Sequence, residues 1–200
     1  MLPDLKGKEL EVLVKERATE YLAMQLADIT SCGVQAVPIG TDPDGKLKWQ
    51  VIKSLPDFEG VTSFSVQFIF DCKVCSQASF NLAKYRDETR GERSRQLKHM
   101  LKRSRFQVPC FFLMHWNSRV LTRFCEPAET FLFPIDANMD FWQSFDRGEK
   151  RSITRDDCRT YGVECKWSIY GNGRKPRPDL LPAVLARIES GEWSTSQSAI

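Results

Sequence analysis

Leu55-Pro56-Asp57-Phe58-Glu59-Gly60 is followed, after a short gap, by Ser65-Val66-Gln67-Phe68-Ile69-Phe70-Asp71-Cys72-Lys73-Val74. The second stretch reads as a β-strand, in which alternate side chains share a face. Asp71 and Lys73 then project together, and Val66, Phe68, Phe70 and Val74 point the other way. If Asp57 sits across from the strand end, Asp57 and Asp71 share a divalent cation, and carboxylate oxygens suit Mg²⁺. A lysine beside such an ion orients or helps deprotonate a water, or stabilises charge building on a phosphate under attack. Taken alone, the acid-x-Lys triplet fits an ordinary Asp–Lys pair on a surface strand better.

The chain has 200 residues, enough for one domain with an appendage. Its 42% hydrophobic and 28% charged residues place it with soluble globular proteins. No apolar run approaches the ~20 residues that span a bilayer, and Met1 to Glu9 lacks a signal-peptide core, so a cytoplasmic protein is expected. Seven scattered cysteines suit reduced, mostly buried thiols, with Cys72, Cys110 and Cys125 inside apolar runs. Cys72-Lys73-Val74-Cys75 lacks a second matched pair for zinc. Net charge is +3 and uneven: Lys84 to Arg105 carries nine basic residues against three acids, which leaves −3 for the rest. Concentrated basic charge is what a phosphate-backbone partner requires. The candidate DNA contacts are Arg90, Arg93, Arg95, Lys98, Lys102, Arg103 and Arg105.

Residues 8 to about 27 read as a helix with an apolar stripe of Leu10, Leu13, Val14, Ala18, Tyr21 and Leu22. Glu11 sits at the margin of that stripe. Val34 to Ile39 and Trp49 to Ile52 read as strands around a turn whose Asp42 and Asp44 lack a calcium-loop pattern. Cys75 to Leu82 reads as a polar connection, and Gly91 to Arg103 as a helix, solvated or DNA-facing, whose Gln96 approaches the metal site. Val108 to Met114 is a continuous apolar run suited to a central strand. His115 to Ser118 is expected to turn into a hairpin partner at Arg119 to Cys125. Thr130 to Pro134 reads as a strand, and Phe141 to Phe145 and Leu180 to Ile188 as helices. Arg151 to Tyr170 shows little pattern, Gly171 to Pro178 reads as a basic loop, and disorder is expected from Trp193. His99 and His115 receive no role.

Pro56-Asp57 followed by Asp71-x-Lys73 resembles the signature of the PD-(D/E)XK nuclease superfamily. Within it, six pieces in register resemble the RecU-type Holliday junction resolvases. Gly7-Lys8-Glu9-Leu10-Glu11 resembles the family's Gly-x-x-Leu-Glu, and Asp57-Phe58-Glu59-Gly60 its Asp-Tyr-x-Gly. Phe70-Asp71-Cys72-Lys73 resembles Phe-Glu-Ala-Lys, with Asp for the usual Glu, and Ser79-Phe80-Asn81-Leu82 resembles Ser-Phe-x-Leu. Gln96 and Phe111-Phe112-Leu113 complete the set. The likeness covers roughly residues 7 to 135.

The resemblance implies an α/β fold: a restriction-endonuclease-like mixed β-sheet flanked by helices. The nuclease core would be residues 1–135, with 136–200 a C-terminal extension. It further implies Mg²⁺ or Mn²⁺ held by Asp57, Asp71 and the backbone carbonyl of Cys72, with Glu11 completing the pocket directly or through water. Lys73 would act on the water and Gln96 would position the nucleophile or phosphate. The family acts on four-way DNA junctions as a homodimer, and residence would be at the nucleoid, or in host cytoplasm for a viral chain. Two alternatives stay open: an endonuclease on duplex DNA, with the basic loop at Arg174 to Arg177 in a sequence-reading module, and a non-catalytic nucleic-acid-binding protein on a nuclease scaffold.

Overall fold

The computed structural model describes residues 2–32, 35–52, 56–86, 92–122, 124–169 and 176–189. In chain order the elements are α1 (Glu9–Ala23), β1 (Ala27–Ser31), β2 (Gln35–Thr41), β3 (Leu47–Ile52), β4 (Phe58–Thr62), β5 (Gln67–Cys75) and β6 (Ser79–Asn81). Then come α2 (Ala83–Arg86), α3 (Glu92–Ser104), β7 (Cys110–Trp116), β8 (Arg119–Val120), β9 (Cys125–Glu126) and β10 (Glu129–Pro134). The chain continues through α4 (Asp140–Arg147), β11 (Ser152–Thr154), α5 (Arg155–Tyr161), β12 (Val163–Glu164), β13 (Trp167–Ser168), β14 (Arg177–Pro178) and α6 (Leu180–Glu189).

The main sheet has the order β1-β4-β5-β7-β10-β12. Only β5 and β7 run parallel, and the other pairs are antiparallel, so this is the mixed sheet of the expected α/β class. The β5-to-β7 crossover carries β6, α2 and α3. Strand β7 is buried at every position, as its apolar run demands. Phe111 and Leu113 enter one core with Leu10 and Val14 of α1 and Leu180 and Val184 of α6. Phe112, Met114 and Trp116 enter the other with Leu97 and Met100 of α3 and Phe141 and Trp142 of α4. Strand β5 divides the same way: Phe68, Phe70, Cys72 and Val74 face α1, and Ile69 faces α3.

Several expectations change. Helix α1 stops at Ala23, because Gln25 adopts a left-handed φ of 58° and the N–H groups of Gln25 and Leu26 bond back to Leu22 and Tyr21. Leu22, though still within α1, is 57% exposed rather than part of the stripe. His115 and Trp116 belong to β7, and the turn begins at Asn117. The antiparallel neighbour of β7 is β10, whereas Arg119 to Cys125 folds on itself as the small β8–β9 ribbon. Cys125 is exposed, while Cys75, Cys110, Cys158 and Cys165 are buried, and all seven thiols are free. The connection after β5 contains β6, which pairs with β11. The patternless Arg151 to Tyr170 supplies β11, α5, β12 and β13; Thr154 and Asp157 form a capping box at the start of α5. The expected disorder from Trp193 lies outside the described residues.

The C-terminal segment closes over α1. Buried Arg17 donates to the Ser168 and Arg177 carbonyls, and the Tyr21 hydroxyl bonds Asp179. The Arg177 guanidinium reaches Glu16 at 2.7 Å and Glu20 at 2.6 Å. Its charge thus serves the fold rather than a basic loop, and Arg174 lies outside the described residues. At the other end of the chain, Leu5 exchanges two hydrogen bonds with the Asn117 side chain.

Gly60 of β4 faces Phe68 of β5, and a Cβ there would stand 2.5 Å from the Phe68 ring. Phe68 is fully buried and stacked with Phe70, so it cannot retreat. Gly60→Ala is expected to lower stability by about 1–3 kcal/mol in urea unfolding. Adding Phe68→Leu should recover part of that loss, and no recovery would place the strain elsewhere.

Candidate active site

The site lies where β4 leaves β5. The register pairs Phe58 with Phe70, and their rings stack at 5.1 Å. One residue earlier Asp57 comes opposite Asp71, and Pro56 has no N–H to continue the ladder. Ile69 N–H bonds the Pro109 carbonyl on the β7 side. Backbone groups alternate along a strand, so the N–H and carbonyl of Cys72 face the β4 side, past the end of β4. Asp57 fills that place: its Oδ2 accepts from Cys72 N–H at 2.9 Å. The Asp57 carbonyl in turn accepts from Cys32 N–H at 2.9 Å, which ties it to the end of β1.

Asp71 is wholly buried, and its Oδ1 receives no hydrogen bond from any donor among the described residues. Oδ2 pairs with the Lys73 ammonium, and the Asp57 carboxyl lies within hydrogen-bonding reach. Burial drives the Asp71 pKa up; Lys73 opposes this, and Asp57 reinforces it. For Lys73, burial alone would lower the pKa, but Asp71 overrides it and the ammonium is held more firmly than in water. Its Nζ also sits 5.7 Å from the Phe112 ring centroid and 6.0 Å from that of Tyr85.

Glu11 reaches the neighbourhood from the other face of the sheet. It is half-buried on α1, and its charge is felt at Cys72. Gln96 is buried on α3. Near the end of α3, Arg103 bonds Gln67 at the start of β5, at 2.9 Å. Counting about 10 Å back along the helix and about 13 Å forward along the strand brings Gln96 near the level of Asp71. Arg95, Lys98, Lys102 and Arg105 are exposed and Arg103 is half-buried, while Arg93 falls in the first turn of α3. Arg90 lies outside the described residues.

Three neighbours had no place in the sequence reading. Cys32 is half-buried, and burial followed by the charges of Glu59, Asp57 and Asp71 pushes its thiol to about 11. Glu59 is exposed on the Asp57 face of β4, and two-residue spacing was the available signal. His99 is half-buried on α3 within electrostatic range of Glu59, and burial lowers its pKa. His115 is a core residue, bonded to Thr130 and to the Pro3 carbonyl.

An orphaned, fully buried carboxylate oxygen beside a second carboxylate and an unpaired strand edge fits a hard divalent cation. Among the described residues no group of three or more His, Cys, Asp and Glu side chains is gathered to hold one. Were an ion held here, the protein groups at hand would be the Asp57 and Asp71 carboxylates and the Cys72 carbonyl, with the rest of the shell left to water and substrate.

A family model described as Recombination protein U matches residues 5–172. The chain belongs to the RecU family. Membership supports a Holliday junction resolvase role and implies a nuclease. The RecU match runs from α1 through β13, past the residue 135 at which the motif likeness stops. A search of curated proteins returns no match.

Lys73→Met would leave Asp71 buried without its cation, and Asp71 would hold its proton to higher pH. A raised folded-state pKa adds stability at low pH that is lost as pH climbs through it. The substitution should therefore cost about 3 kcal/mol at pH 8 and clearly less at pH 5, read from urea titrations. Equal losses at both values would show that Asp71 does not take up the proton.

Proposed function

We propose that this chain is a metal-dependent, structure-selective DNA endonuclease that resolves four-way junctions by paired hydrolysis. The observation that carries the reading is the buried Asp57–Asp71 pair beside Lys73 at the end of β4. Asp57, Asp71 and the Cys72 carbonyl would hold Mg²⁺ or Mn²⁺, with Glu11 acting through water. The ion, when bound, supplies Lewis-acid polarisation and a water of lowered pKa.

The chain's own groups do the rest. Lys73, paired with Asp71 in this structure, would act on the attacking water and offer a cation and hydrogen-bond donor to the phosphate under attack. The Phe112 and Tyr85 rings lie beside Nζ, at 5.7 and 6.0 Å to their centroids, and favour a cation there. Gln96 orients the nucleophile or a phosphate oxygen. Water attacks phosphorus in line, the P–O3′ bond breaks, one proton of the water passes through solvent to O3′, and the products are a 3′-hydroxyl and a 5′-phosphate. The exposed row on α3 and the turn after it (Arg95, Lys98, Lys102, Arg105) tracks the DNA backbone, with Arg90, Arg93 and Arg103 as further contacts. A homodimer places two such sites on opposed strands, since symmetric cutting requires two-fold symmetry. No described helix is long and apolar enough to cross a membrane. Work on chromosomal DNA would place the protein in the cytoplasm at the nucleoid.

Labelled four-way junctions incubated in Mg²⁺ beside a linear duplex of the same sequence should receive paired symmetric nicks, and Asp71→Ala should abolish them. Preferential cutting of the duplex would make this an endonuclease of another specificity. Tight binding without cutting would make it a binding protein. Independently of cleavage, Mn²⁺ should raise the melting temperature, and Asp57→Asn should remove the gain. A gain that survives in Asp57→Asn would move the ion elsewhere.

A further inference from the structure

Two aromatic rings stand in solvent at one end of the molecule. Phe64 is 75% exposed on the turn between β4 and β5, and Phe106 is 70% exposed in the turn that ends α3. Each lies three residues from one member of the Arg103–Gln67 hydrogen bond, so the two turns share an end of the fold. Neither turn is loose. Thr62 closes the first through Val66 and Ser65, and Arg103 and Ser104 close the second through Phe106 and Gln107. The residue after each ring is left-handed without being glycine: Ser65 at φ 61° and Gln107 at φ 62°. Such backbone is adopted at a cost, and in both turns the residue before it is an exposed phenylalanine.

What surrounds the rings identifies their occupant. Arg95, Lys98, Lys102 and Arg105 recur at helical spacing, are all exposed, and form one stripe about 15 Å long that ends at Phe106. At about 3.4 Å of rise per phosphate, that stripe matches some four nucleotides of one strand. Cations for a backbone that lead into aromatic faces are the arrangement by which proteins hold unpaired bases. Asp71 lies about 13 Å along β5 from Gln67, so the rings would meet nucleotides a few steps from the cut phosphate. The apolar surface extends to Val61, 44% exposed, and Leu26, 39% exposed.

We propose that Phe64 and Phe106 form a base-stacking subsite for unpaired nucleotides at a DNA branch point, fed by the basic stripe of α3. The inference rests on the nuclease reading above and names what would make that site prefer branched DNA. Intact duplex offers no free base face, so the rings should matter for junctions alone.

The test measures dissociation constants of the full-length chain for a synthetic four-way junction and for linear duplex, in EDTA and at fixed salt. Wild type is compared with Phe64→Ala, Phe106→Ala and Lys102→Ala, and sedimentation velocity reports the oligomeric state of each. Each Phe variant should bind the junction about tenfold more weakly and the duplex within twofold of wild type. Lys102→Ala should weaken both alike, with a shallower salt dependence. Equal losses on both DNAs, or none, would overturn the stacking subsite while leaving the nuclease reading intact. Loss that tracks a dimer falling to monomer would make the patch an interface between two copies of this chain and overturn it as well. Failure of wild type to bind either DNA would remove both the subsite and the nuclease reading.

Discussion

A side chain takes the place of a missing strand at the end of β4. The N–H and carbonyl of Cys72 point where a ladder partner would stand, but β4 ends just before, at Phe58. Asp57 bends its carboxylate into the gap and takes up the Cys72 N–H. One short bond thus fixes Asp57 beside Asp71, leaves the Cys72 carbonyl at an open strand edge, and keeps a carboxyl pair in a place too dry for two full charges. Lys73 makes that pair tolerable from the same face of β5. Every feature that suits a divalent ion at this spot follows from where β4 stops.

The rest of the fold holds that spot still. Strand β7, buried on both faces, anchors β5 in parallel register from Ile69 to Cys75. Phe58, Phe68 and Phe70 form a stacked wall on the α1 side, and Gly60 makes room for it. On the other side the Tyr85 and Phe112 rings flank the Lys73 ammonium. Rigid packing on both faces of one strand lets carboxylates and an ammonium keep a fixed geometry without being spread on loops.

The alternation that puts Asp71 and Lys73 on one face was legible because a two-residue period needs no tertiary information. The apolar run of β7 was equally plain. What escaped notice depends on contacts made at a distance. Gln25 ends α1 with a left-handed cap usually given to glycine, so no residue type announced it. Arg119 to Cys125 alternates well enough to be paired with β7, yet the larger apolar face of β10 takes that place. Arg177 sits in a basic run, but Glu16 and Glu20, far away in sequence, claim its charge. Cys32, Glu59 and His99 come beside the site only through the β1–β4–β5 register and the seating of α3, neither of which a linear pattern reveals.

The return of the C-terminal segment to α1 sets an order on the making of the protein. Synthesis runs from the N-terminus, and domains tend to fold as their parts emerge. Asp57, Asp71 and Lys73 leave the ribosome long before Ser168, Arg177 and Asp179, the partners that satisfy Arg17 and Tyr21. Until then Arg17 keeps its bond to Glu20 within α1 but lacks the Ser168 and Arg177 carbonyls, and the core shared with Leu180 and Val184 stands open. A half-made chain therefore carries Asp57, Asp71 and Lys73 on an unfinished support, and the packing behind them closes only when the C-terminal segment docks on α1.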